Sequence, residues 1–190
     1  MIRVITLALF LGLIASAQDA PPPPKPADDG PSLEVTMKFI EDKLNAQGNV
    51  SWVYTWQNSI AQTTGGPVPA SEEAANATSD PKACTLRLHF KATDNAKVTE
   101  DADFLTSLKD VEKIQVMSLQ ERTNLLWAKR GHPEITVAAS PAVWALVLSF
   151  TKDKKDGEVD FKFFDEELSH RMAKAMLRAV ELCGGGKEPF

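Results

Sequence analysis

Cysteine and histidine are scarce in this chain: two of the first, Cys84 and Cys183, and three of the second, His89, His132 and His170, in 190 residues. The histidines stand apart, and neither a His-x-x-x-His nor a paired-cysteine spacing occurs, so no zinc motif is legible. Positive charge is also short. The 21 Lys and Arg against 26 Asp and Glu leave a net charge of −5, opposite to the balance that general nucleic-acid binding needs. Neither a Gly-x-Ser-x-Gly elbow nor a Gly-x-x-x-x-Gly-Lys phosphate loop is present. Gly184 to Gly186 follow a predicted helix instead of preceding one, so they terminate it and offer phosphate no row of amide donors. No apolar run reaches the roughly 20 residues of a membrane-spanning helix. With 43% hydrophobic and 25% charged residues, the composition excludes a collagen-like, wholly disordered or multi-span membrane protein.

What is present begins with an address. Arg3 is the one charge before an apolar run from Val4 to Ala15, and Ala15 and Ala17 put small residues at the −3 and −1 positions of a cleavage site. Residues 1–17 therefore read as a secretory signal cut after Ala17. The mature product is expected to be secreted or periplasmic, in an oxidising compartment. No cysteine near the cut invites lipid attachment. Residues 18–31, with Pro21 to Pro24, read as a proline-rich linker. A single domain is expected over residues 32–186, followed by a tail, 187–190.

Within the domain, Ser32 caps a predicted helix to Gln47, with Leu33, Met37, Ile40 and Leu44 on one face and Gly48 as a left-handed stop. Val50 to Trp56 is rich in aromatic and β-branched residues and reads as a strand. Trp52, Tyr54 and Trp56 share one of its faces. Their expected role is core, and the alternative is the lining of a ligand pocket or a stacking platform for a sugar. Ser59 to Lys82 is polar and rich in breakers, including Gly65-Gly66-Pro67, and predicts a long exposed loop. Asn49-Val50-Ser51 and Asn76-Ala77-Thr78 match the glycosylation sequon.

Cys84 to Phe90 alternates cleanly and predicts a strand with Cys84, Leu86, Leu88 and Phe90 inward. Phe104 to Leu108, Lys113 to Leu119 and Thr123 to Lys129 are weaker strand candidates, the third ambiguous with a helical turn. Glu134 to Ala139 follows the turn Arg130-Gly131-His132-Pro133. Ala142 to Thr151 is apolar on both faces, and Val159, Phe161 and Phe163 alternate after Asp156-Gly157, so these two segments predict a hairpin. Asp153, Asp156, Glu158 and Asp160 lack the spacing of a calcium loop and read as a solvated turn. Asp165 caps a last helix from Glu166 to about Cys183, whose apolar stripe runs through Leu168, Met172, Met176 and Ala179.

This order implies an α+β fold: an antiparallel, partly closed sheet of about seven strands, with an N-terminal helix and a closing C-terminal amphipathic helix. Successive strands, a hairpin and a final helix resemble the pleckstrin-homology-like superfold. The segment Asp165 to Leu168 through Ala179-Val180-Glu181-Leu182-Cys183-Gly184-Gly185 also resembles the end of uncharacterised secreted bacterial proteins. Members of that superfold hold phosphoinositides through basic residues in the first inter-strand loop. Here that loop offers Glu72, Glu73 and Asp80 but only Lys82, so no phosphoinositide membrane binding is expected, nor any cofactor. The resemblance implies a peptide- or protein-docking platform.

Both cysteines fall on inward faces, which makes a disulfide between Cys84 and Cys183 the expectation and two buried thiols the alternative. Neither has a neighbouring histidine or helix N-terminus to activate it. Three functions follow: a non-enzymatic docking module with an unidentified protein or peptide partner; a binder of a small apolar ligand among Trp52, Tyr54, Trp56, Trp127 and Trp144; and an enzyme assembled around His89 or the acidic loop.

Overall fold

A computed structural model describes residues 30–152 and 155–185. The expected signal segment with Ala15 and Ala17, nearly all of the proline-rich linker, Asp153 and the tail lie outside the described residues. The chain runs α1 (Leu33–Gln47), β1 (Asn49–Asn58), β2 (Thr63–Asp80), β3 (Thr85–Asp94), β4 (Lys97–Ser107), a 3-10 turn (Leu108–Asp110), β5 (Val111–Ser118), α2 (Leu119–Lys129), β6 (Ile135–Ser140), β7 (Trp144–Lys152), β8 (Lys155–Phe163) and α3 (Glu166–Leu182).

Helix α1 starts as its sequence dictates. The Ser32 hydroxyl accepts from the Val35 amide, and Met37, Ile40 and Leu44 are buried. Gly48 ends it with φ −80°, so the expected left-handed stop is corrected. Glycine is needed there for space, because a Cβ would press on the carbonyl oxygens of Leu44 and Ala74. Helix α3 is capped by Asp165, whose side chain accepts from Leu168. It closes with Gly184 at φ +75°, where the Gly184 amide reaches the Glu181 carbonyl and the Gly185 amide that of Val180. This is the paired hydrogen bonding of a glycine-terminated helix end.

The strands form two antiparallel sheets, one ordered β4-β3-β2-β1-β6 and the other β5-β7-β8. The fold is thus α+β with an N-terminal and a C-terminal helix, but a single, partly closed sheet of about seven strands is corrected to two open sheets that hold eight strands among the described residues. Two local misreadings account for the difference. The expected exposed loop Ser59 to Lys82 is mostly β2, paired to β1 on one side and to β3 on the other. The third weak strand candidate, Thr123 to Lys129, is part of α2, which begins at a capping box between Ser118 and Glu121. After α2 the chain returns along the free edge of β1 as β6, while β5 pairs with β7, and this divides the strands between the sheets.

The β3–β4 hairpin turns on Asn95 and Ala96, both at positive φ, the handedness that a two-residue hairpin loop requires. In β2 a bulge follows Ala75, and Asn45 of α1 holds it by donating to the Ala77 carbonyl and accepting from the Ala77 amide at 2.9 and 2.7 Å. Small residues at Ala74 and Ala77 let α1 lie close against this strand.

Leu86 and Leu88 of β3, Met37, Ile40 and Leu44 of α1, Leu146 and Leu148 of β7, Phe161 and Phe163 of β8, and Met172 and Met176 of α3 make one continuous core. Each such side chain, fully buried, contributes about 1.5–3 kcal/mol. The expected disulfide is present: Cys84 and Cys183 are bridged, with their Cα atoms 5.8 Å apart. No helix among the described residues is long and apolar enough to cross a membrane.

Candidate functional site

Alternation along β1 points Trp52, Tyr54 and Trp56 to one face, where all three are half-buried while Ser51, Val53 and Thr55 are exposed. Trp52 packs against a small buried cluster of Val50, Leu119 and Val143, and all three rings line a half-enclosed cavity of about 610 Å³. Across it stand Thr123, Leu126 and Trp127 of α2, and Ile135 and Val137 of β6 complete the apolar wall. The Asn124 side chain locks α2 to this wall by accepting from the Val137 amide at 2.8 Å. Trp144 does not line the cavity.

Trp56 is seated by a glycine. It lies opposite Gly65 in the β1–β2 register, and a Cβ at position 65 would overlap the indole. The Gly65 that reads as a loop breaker is therefore the floor on which an aromatic wall rests. Gly65→Ala should displace the Trp56 ring, costing about 1–3 kcal/mol by overpacking and shifting tryptophan emission; an unchanged spectrum and melting temperature would refute this seating.

At the polar end, Glu72 of β2 and Lys162 of β8 both line the cavity. Lys162 Nζ donates to Glu72 Oε2 and, at 3.3 Å, to Asp160 Oδ1. It also stands 5.8 Å from the centre of the Trp52 ring, a cation–π distance. Asp160 Oδ2 in turn accepts from Arg122 Nε at 2.9 Å, and Arg122 Nη1 reaches Glu158 Oε2 at 2.9 Å. The side chains of Glu72, Arg122 and Lys162 are only 4%, 8% and 10% exposed. The expected solvated turn is corrected here: Glu158 and Asp160 are the anionic half of a partly buried ion network tying β8 to α2.

Burial pushes the Glu72 carboxyl up to about 7 even against the attraction of Lys162. For Asp160 burial acts the same way, but Lys162 and Arg122 outweigh it and hold that carboxyl below its ordinary range. Burial works to lower Lys162, and the nearby Glu72 and Asp160 charges reverse the direction, so its ammonium is retained. Tyr54 donates to Asp94 Oδ1 at 2.9 Å; burial, then this bond, pushes its phenol up to about 12.

The histidines lie elsewhere. His89 sits between Asp101 and Asp103, at 3.1 Å from each, on the β3–β4 ladder, and none of the three lines the cavity. No cluster of three metal-ligating side chains occurs among the described residues. Sequence reasoning missed Glu72, Lys162 and the Arg122 network, and the one readable hint was the Ser118-x-x-Glu121 capping box that places α2. Compared with family models, curated proteins and solved structures, the chain matches none.

Proposed function

We propose that this chain is an exported, non-enzymatic binding protein that holds a small, largely apolar molecule in the cavity beside β1. The observation that carries the reading is the enclosure of about 610 Å³ by Trp52, Tyr54, Trp56 and Trp127, a size and lining typical of small-molecule sites. A charged Lys162 and a phenol at Tyr54 raised to about 12 leave neither side chain nucleophilic near neutral pH.

The docking reading finds less support. β4 stands at an edge of the larger sheet and exposes Glu100, Asp101 and Asp103, charges of the kind that keep an edge from accepting another strand. Kinship with the pleckstrin-homology-like superfold enters this reading only through element order, consecutive antiparallel strands before α3.

Titration with N-phenyl-1-naphthylamine tests the pocket. Saturable fluorescence enhancement is expected, weakened about tenfold in Trp127→Ala, a ring-sized loss of contact, with little change in melting temperature. Absence of saturable binding, or equal binding by the variant, would sink the proposal.

A further inference from the structure

Three charged side chains line the cavity, Glu72, Asp94 and Lys162, and only two of them answer each other. Lys162 is held by Glu72 and by Asp160, so its charge is offset whatever proton Glu72 carries. Asp94 has no cationic partner among the described residues. Tyr54 donates to its Oδ1 at 2.9 Å, while Oδ2 is neither hydrogen-bonded there nor sealed from solvent. Lys97, opposite Asp94 in the β3–β4 ladder, is exposed, stands outside the cavity lining and makes no ion pair with it. The neighbouring hydroxyls are taken: Ser71 and Thr93 bond each other at 2.6 Å, and Thr99 donates to the Ala92 carbonyl at 3.2 Å. One end of an aromatic cavity thus carries an open, half-buried carboxylate.

Resting on the pocket reading, we infer that the ligand is a small aromatic molecule bearing one ammonium group, and that Asp94 receives this positive head. The rows of the sheet fix the two ends. Trp52, Ala70 and Asp94 stand side by side across β1, β2 and β3, with Tyr54 bonded to the carboxylate, while Trp56 lies further along β1 opposite Val137 of β6. The head therefore rests at Asp94 and Tyr54, and the ring body runs toward Trp56, Leu126 and Trp127, whose faces and apolar edges suit a planar skeleton. Charge selects the head. An anion would meet Asp94 uncompensated, because Lys162 is already engaged by two carboxylates, and like charges repel strongly where water is scarce. A cation gains a charge-assisted hydrogen bond and the negative face of an aromatic ring. Cations of the chain already stand over two of the four rings, Lys162 at 5.8 Å from Trp52 and Arg130 at 5.7 Å from Trp127. Tyr54 and Trp56 are left without one among the described residues.

Isothermal titration calorimetry on the full mature chain near neutral pH compares two probes of one shape: 2-naphthylmethylamine, whose ammonium is the inferred head, and 2-naphthylmethanol, whose hydroxyl is a neutral donor. The amine is expected to bind about tenfold tighter, the margin of a charge-assisted over a neutral hydrogen bond, and added salt should narrow the gap. In Asp94→Asn, which keeps an acceptor for Tyr54, the two probes should bind alike. Equal or tighter binding of the alcohol to the wild type overturns the inference and leaves the pocket reading standing, and so does an amine preference that survives unchanged in Asp94→Asn. If neither probe binds while N-phenyl-1-naphthylamine still saturates, the ammonium head is rejected and the pocket remains; if none of the three binds, both readings fall. Should Asp94→Asn not fold, the carboxyl carbon resonance of Asp94 in the wild type decides: it should shift with the amine, and a resonance indifferent to it overturns the assignment.

Discussion

Replacing Cys84 and Cys183 together with alanine is expected to lower the unfolding free energy by up to about 4.7 kcal/mol, the chain-entropy value for a loop of this length. The bridge spans 99 residues, from the start of β3 to the end of α3, and so encloses most of both sheets. Without it the unfolded chain regains that freedom, while α3 keeps only its packing on the core. Set against a total stability of about 5–15 kcal/mol for a domain, the loss is large. It should lower the melting temperature by roughly 9–19 °C, at about 2–4 °C per kcal/mol for a chain of this size. Urea unfolding with and without reductant, beside the double variant, measures it. Neither cysteine lines the cavity, so ligand affinity of the folded variant should match the wild type. A difference below about 1 kcal/mol would mean that packing alone fixes α3.

Lys162 carries the second large effect. Lys162→Met leaves Glu72 and Asp160 buried without their ammonium, and breaking a buried pair from one side costs about 3–5 kcal/mol. The cost should be greatest at pH 8 and smaller at pH 5, where Glu72 takes up a proton. The wild type has its own pH dependence from the same carboxyl. Because Glu72 is raised from 4.5 to about 7 on folding, the native state binds the extra proton between those values, and linkage makes this group's contribution fall as pH rises through that window. The expected loss is about 3 kcal/mol between pH 4.5 and pH 7. Glu72→Gln, which cannot ionise, should flatten the profile there. Identical pH profiles for the wild type and Glu72→Gln would remove Glu72 as the titrating group.

Elements whose signal is local were legible in the residues themselves. Ser32 and Asp165 cap α1 and α3 because a short oxygen-bearing side chain at the helix start meets an otherwise unpaired amide, and their apolar stripes are what α1 and α3 bury. Leu86, Leu88 and Phe90 alternate inward as read, while Cys84 is buried in a turn at positive φ just before β3. The hairpin of β7 and β8 followed from its double-faced apolar run. With only two cysteines, both inward, the pairing had one possible form.

Elements defined by their neighbours were not. Strand β2 contains Gly65, Gly66, Pro67, Pro69 and many small polar residues, a composition of low β propensity, and it is a strand because β1 and β3 supply backbone partners on both sides. Its loop-like sequence also hid Glu72, which reads as one more exposed acid. Lys162 lies 90 residues away, and Arg122 reaches Asp160 across 38; no periodicity records such distances. The amino-acid sequence by itself determined the caps, the amphipathic helices, the aromatic face of β1 and the single possible disulfide, since each depends on residues within a few turns or on a count. Only the tertiary structure decided that the aromatic face also lines a cavity, because that depended on where α2 and β8 set Trp127 and Lys162 beside it.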